Sequence, residues 1–264
     1  MTNADRAASA DRPLAEHVRA VVSRHLSAVE SRHRGVLSRL RQESGLLVVV
    51  ALILTVASLA LLLTDGVQGL LVLALALLPA VPLLLLGLWL DRHEPEPAWL
   101  LFRCFVWGAS VATLFAGLFN SLVNTYFGDA ASQLVSAPVI EEALKGAALL
   151  WVMQRFDEHL NGRLDAVIYA LFVGLGFAAV ENVFYYQSAL VEGGFEAVAA
   201  VVLIRGVMTP FLHPAFTVLT GLGILRGLRS RGAGRFGWPL LGYLGAVLLH
   251  ALWNTGLGMA LYLV

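Results

Sequence analysis

Cysteine is almost absent. Cys104 is the only one in 264 residues, so no intrachain disulfide can form, and no His stands near it at metal-ligand spacing. It reads as a packing residue. Charge is scarce too, at 14% of the chain, and its signs balance at 18 Lys or Arg against 18 Asp or Glu. With no long basic run outside the N-terminal arm, no nucleic acid partner is expected. An early apolar run of the kind a cleaved leader needs is missing as well: the first begins near Gly45, so the first hydrophobic helix is expected to act as an uncleaved anchor. What the chain has in excess is apolar residues, 58% of the total, well outside the range of a soluble domain. The expected fold class is all-α, a polytopic transmembrane helix bundle whose outside faces lipid.

Two regions differ in character. Residues 1–44 are polar and Arg-rich, with Leu14, Val18, Val22, Leu26, Val29, Leu37 and Leu40 at roughly helical spacing, which predicts a cytoplasmic amphipathic arm. Residues 45–264 form the transmembrane domain. A span needs about 20 mostly apolar residues, and the chain supplies them at Gly45 to Leu63, Val67 to Leu90, Ala98 to Val123, Ser132 to Met153, Asp165 to Tyr186, Pro210 to Leu228 and Trp238 to Leu263. The apolar run Phe195 to Val207 is short and carries Arg205. About seven to eight spans are therefore expected. Arg32, Arg34, Arg39 and Arg41 place the N-terminus in the cytoplasm, and the arginines at 226, 229, 231 and 235 favour seven crossings with the short run not crossing.

Ionisable groups inside such helices are costly, about 2.5 to 3.5 kcal/mol each near the bilayer centre on insertion scales, so each marks a site by default. Glu141, Glu142 and Lys145 share the fourth span. Neighbouring residues on a helix point about 100° apart, so one glutamate can pair with Lys145 while the other faces a cavity. Phe177, Glu181 and Asn182 follow in the fifth span, behind Gly174 and Gly176; His213 stands between Pro210 and Pro214; His250 and Asn254 lie one turn apart in the last span. Together they predict a polar intramembrane cavity holding a base, hydrogen-bond donors and possible metal ligands. Arg103, Arg205, Asn120 and Asn124 read as structural, near helix ends or able to snorkel.

These residues form a recognisable order. Pro138-x-x-Glu141-Glu142-x-x-Lys145, then Gly174-x-Gly176-Phe177-Ala-x-x-Glu181-Asn182, then the proline-flanked His213, then His250-x-x-x-Asn254 resembles the PrsW family of intramembrane proteases, over about Leu90 to the C-terminus. The wider CPBP (Abi) superfamily, with its prenyl-protein endoproteases, carries Glu-Glu-x-x-x-Arg, Phe-x-x-x-His and His-x-x-x-Asn. Here Lys145 comes one position early and Glu181 replaces the second-motif His, and both departures follow the PrsW branch.

The resemblance implies an endopeptidase in a bacterial cell membrane that cleaves single-span membrane proteins, anti-sigma factors among them, with a first-motif glutamate as base. Glu141 or Glu142 would activate water; His250 and Asn254 would donate to the oxyanion, with Glu181 and His213 positioning water and Lys145, Asn182 and Phe177 in support. No cofactor is expected on this reading; its rival is a zinc site of Glu142, Glu181, His213 and His250. A different class of function, a proton-coupled transporter or a non-catalytic scaffold, would use similar intramembrane Glu and His residues.

Overall fold

The computed structural model describes residues 48–60 and 66–256. The chain divides into two units, Met1–Leu47 and Val48–Val264; the first, with the expected amphipathic arm, lies outside the described residues. The described part of the second unit contains helices and no strand. In chain order they are α1 (Val48–Ala60), α2 (Val67–Leu77), α3 (Ala80–Leu90), α4 (Ala98–Val106), α5 (Thr113–Phe127), the single turn α6 (Asp129–Ala131), α7 (Ala137–Arg155), α8 (Arg163–Val201), α9 (Leu212–Leu228) and α10 (Gly234–Asn254). Three π-helical segments, Trp107–Ala112, Ser132–Ser136 and Val202–Met208, join or extend them.

Four stretches among the described residues are long and apolar enough to cross a membrane: Val67–His93, Ala98–Phe127, Arg163–Leu228 and Gly234–Asn254. That is fewer than the seven to eight expected, for identifiable reasons. The first expected span is described only over Val48–Ala60. The fourth, α7, carries Glu141, Glu142 and Lys145 within one turn. The three runs expected over 165–228 form one helical stretch of 66 residues. That stretch is interrupted at Gly194 (φ 67, ψ −161) and again at Thr209 (φ −133, ψ 36). Gly194 adopts a positive φ that a side chain would resist. Beyond Thr209 the chain doubles back: a Cβ added at Gly174 on α8 would stand 2.6 Å from the Cα of Pro214 on α9.

α8 is the central post. Its residues from Ala166 to Val183 are almost all buried, because α4, α9, α2 and the Trp107–Ala112 segment pack around it. Glycine makes the tightest crossing possible. A Cβ on Gly108 would lie 2.0 Å from the Val173 carbonyl oxygen, and one on Gly176 2.0 Å from that of Phe105. With lipid outside and no hydrophobic drive between spans, such backbone contact is how membrane helices gain packing.

Toward one end of the bundle, Leu100, Leu101, Cys104, Leu149, Val152, Met153, Ile168, Phe172 and Ile224 form an apolar core, and Cys104 is buried in it. Beneath that core Glu96 is buried. Its backbone N–H donates to Asp91 (2.8 Å), and its carboxylate accepts the Tyr169 hydroxyl. Burial pushes the Glu96 carboxyl above its ordinary value, with the Tyr169 hydrogen bond pulling the other way.

Candidate active site

α7, α8, α9 and α10 and the Val202–Met208 segment bring their ionisable side chains to one place. The adjacent glutamates of α7 diverge as a helix requires. Glu142 is fully enclosed; its Oε1 accepts from Lys145 Nζ (2.9 Å) and lies 3.0 Å from His250 Nδ1. Glu141 turns to the cavity. Its Oε1 accepts from Asn120 Nδ2 on α5 (3.2 Å), and Asn120 is itself held by the Ser136 hydroxyl (2.8 Å). The other oxygen, Oε2, is buried without a hydrogen-bond partner; it stands 3.8 Å from Lys145 Nζ and 3.8 Å from His250 Nε2.

Hydrogen-bond partners fix the two imidazoles. An ammonium has protons to give and no lone pair to offer, so Lys145 Nζ, 3.0 Å from His213 Nδ1, donates to that nitrogen. His213 Nε2 must then carry the proton, which it gives to Glu181 Oε2 at 2.7 Å. Glu181 is clamped by Arg205 through an ion pair at the same oxygen, while Arg205 Nε donates to Asn182 Oδ1 (2.8 Å) and the guanidinium lies 3.9 Å over the Tyr185 ring. His250 has the opposite tautomer: its Nδ1–H donates to Glu142, which leaves the Nε2 lone pair turned toward Glu141. Its ring stacks on Phe216 at 5.4 Å. Lys145 Nζ also sits 3.9 Å above Phe177.

Glu141, Glu181, His213, His250, Asn254 and Phe177 all line one cavity of about 450 Å³, together with Asn120 and Arg205. Glu142 and Lys145 stand behind its wall, and Asn182 borders a smaller pocket on the far side of His213. Asn254 gives one of its two amide protons to the Gln133 carbonyl (2.8 Å), which leaves the second N–H uncommitted, whereas the His250 Nδ1–H goes to Glu142. Arg205 and Asn120, read from sequence as structural, belong to the wall. A signal for Asn120 was present: Thr113, Gly117, Asn120, Ser121 and Asn124 recur on one side of α5. Arg205 gave no such periodicity.

One donor atom each from Glu141, His213 and His250 lie within 4.8 Å of one another, and all three residues are buried. Of the four residues weighed from sequence, His213 and His250 belong to this group, with Glu141 as its carboxylate; Glu142 is bonded to Lys145 and His250, and Glu181 to Arg205 and His213. A carboxylate with two imidazoles and room for a further ligand is the donor chemistry of a catalytic zinc site. The unpartnered Oε2 of Glu141 is a buried acceptor that a cation would satisfy. The residues present therefore fit a divalent metal.

Apolar spanning helices around a buried Glu, His, Lys and Arg centre define an integral membrane protein with a polar intramembrane site. The chain belongs to the PrsW family: residues 96–264 match the model described as "PrsW family intramembrane metalloprotease". It is 32% identical over 122 residues to "Protease PrsW" of Clostridioides difficile (strain 630), covering 43% of this chain and 51% of the relative. To "Protease PrsW" of Bacillus subtilis (strain 168) it is 27% identical over 179 residues, 65% of this chain and 76% of the relative. To that of Geobacillus kaustophilus (strain HTA426) it is 30% identical over 147 residues, 54% and 60%. The match thus spans about half the length of the first of these relatives. No solved structure matches.

Proposed function

We propose that this protein is an intramembrane endopeptidase of a bacterial cell membrane, metal-dependent, acting on single-span membrane proteins. The observation that carries the reading is the convergence of Glu141, His213 and His250 on one cavity, in a chain whose relatives bear the name protease. These three side chains would hold the ion. A bound zinc-type ion would polarise a peptide carbonyl and make water more acidic. Glu142 keeps His250 in the tautomer that frees Nε2, as carboxylates do for metal-binding histidines, and the Arg205–Glu181 pair orients His213. Holding the ion and taking the proton of water both draw on the lone pairs of Glu141 Oε2, so this residue is the centre of the reaction. Arg205, the one cationic side chain other than His on the cavity wall among the described residues, would place positive charge beside a peptide oxygen that gains negative charge.

The topology we infer has seven crossings with the N-terminus in the cytoplasm. Residues 195–208, at 1.5 Å per residue, reach about 21 Å, short of the roughly 30 Å hydrocarbon core; they form a half-span that inserts Arg205. The site then opens toward the outer face, and no observation favours transport or scaffolding instead. The test is co-expression of wild type and Glu141→Gln with tagged single-span membrane proteins. Wild type should shorten at least one of them and the variant should retain it uncut. Equal processing of every tagged protein by both would refute the assignment.

A further inference from the structure

The Lys145 ammonium stands among donors that suit a divalent cation. It has Glu142 Oε1 at 2.9 Å, His213 Nδ1 at 3.0 Å and Glu141 Oε2 at 3.8 Å, and its side chain is completely enclosed. Two of those three neighbours, Glu141 and His213, belong to the group able to hold a metal. The lone pair of His213 Nδ1 can receive a proton from Lys145 or bind an ion, and cannot do both. The other nitrogen offers no escape, because His213 Nε2–H is committed to Glu181 at 2.7 Å, and Glu181 is fixed by Arg205.

We propose that Lys145 is an internal competitor for the metal: its ammonium and the divalent ion share His213 Nδ1 and Glu141 Oε2, so metal loading requires Lys145 to withdraw from His213 toward Glu142. The proposal rests on the metal-dependent reading above and adds a residue that sets metal affinity without being a ligand. A lysine suits the part. Its charge is a compact point on a flexible four-carbon stem, so Nζ can leave His213 by rotation while keeping its 2.9 Å bond to Glu142. Glu142 has a double duty in consequence, since the same Oε1 that receives the withdrawn ammonium also holds His250 Nδ1 at 3.0 Å. Two charges of the same sign a few ångströms apart repel appreciably even in a screened interior, so the competition weakens binding beyond the loss of one hydrogen bond.

The test is titration of the full chain in detergent micelles with Zn²⁺ against a chromophoric chelator, comparing wild type, Lys145→Met, Lys145→Gln and Lys145→Arg. The two neutral variants should bind zinc about tenfold more tightly or better, and Lys145→Arg, which keeps the charge, should not. Neutral variants that bind no more tightly than wild type overturn the proposal while leaving the metal reading intact. Absence of zinc binding by every form overturns both. Should the neutral variants not fold, ¹⁵N-histidine spectra of the wild type decide: zinc must shift the Nδ1 resonance of His213 from hydrogen-bond acceptor to metal-bound position. An unmoved Nδ1 with zinc bound would overturn the competition.

Discussion

The two adjacent glutamates of α7 provide the sharpest test, because replacing each by its amide should fail in a different way. Glu142 is fully enclosed, and one of its oxygens serves both Lys145 Nζ at 2.9 Å and His250 Nδ1 at 3.0 Å. Glu142→Gln keeps a carbonyl for one of these donors and removes the charge that neutralises Lys145. The nearest remaining carboxylate oxygen is Glu141 Oε2 at 3.8 Å, too far for a hydrogen bond. Breaking a buried ion pair by removing one partner costs about 3 to 5 kcal/mol, and an ion pair that keeps a neutral hydrogen bond should fall at the lower end. The variant should melt several degrees below wild type while retaining measurable turnover. Glu141→Gln is the converse. Its Oε1 contact with Asn120 survives in an amide, Oε2 has no hydrogen bond to lose, and its 3.8 Å pairing with Lys145 is longer than the 2.9 Å bond that Glu142 keeps, so stability should fall less than in Glu142→Gln. Turnover should fall by at least about 10² to 10⁴, the usual worth of general-base catalysis, because the amide also weakens the hold on the ion. Thermal unfolding in micelles and cleavage of a substrate verified by co-expression read the two effects separately. A Glu141→Gln enzyme with unchanged turnover would refute the assignment of the cavity carboxylate. A Glu142→Gln protein that melts with wild type would refute the ion-pair argument.

The site was more legible in the sequence than the architecture around it. Charged residues in apolar helices stand out because the membrane penalises them, and the divergence of Glu141 from Glu142 follows from helix geometry alone. Which of the two faces the cavity did not follow. That depends on where α9 and α10 lie relative to α7, and the decisive neighbours, His213 and His250, are 68 and 108 residues away from their α7 partners Lys145 and Glu142. The partner of Glu181 was hidden in the same way. Arg205 sits in a short apolar run, where its place near a predicted helix end suggested a structural or snorkelling role, and the break at Gly194, with φ 67, comes between that run and the part of α8 that carries Glu181. The four long apolar stretches among the described residues do not set the number of crossings. Hydropathy divides residues 165–228 into three runs, whereas the helix continues through them as one 66-residue stretch with breaks at Gly194 and Thr209.

Gly176→Ala should abolish assembly of the bundle, since its Cβ would stand 2.0 Å from the Phe105 carbonyl oxygen, a backbone atom that cannot yield; unaltered melting and gel-filtration behaviour would contradict the crossing described. Glu96→Gln tests the opposite end of the bundle. A carboxyl raised above its ordinary value by burial makes the folded state hold its proton where the unfolded chain has released it. Its contribution to stability is therefore present at low pH and is lost as pH rises above about 4.3, the unfolded value. Wild type should lose melting temperature over that window, and the Gln variant, which still accepts from Tyr169, should lose less; identical pH profiles would sink the argument. Arg205→Gln and Arg205→Lys separate charge from shape at Glu181. The guanidinium holds Glu181 and Asn182 together and covers the Tyr185 ring at 3.9 Å. Lysine keeps the charge but cannot serve both partners in one plane. If Arg205 acts by keeping Glu181 ionised for His213, lysine should restore much of the turnover that glutamine loses. If its planar fork is what orients Glu181, both variants should fall together, with kcat reduced more than KM is raised, because His213 would be misaligned while the cavity that receives the substrate keeps its other walls.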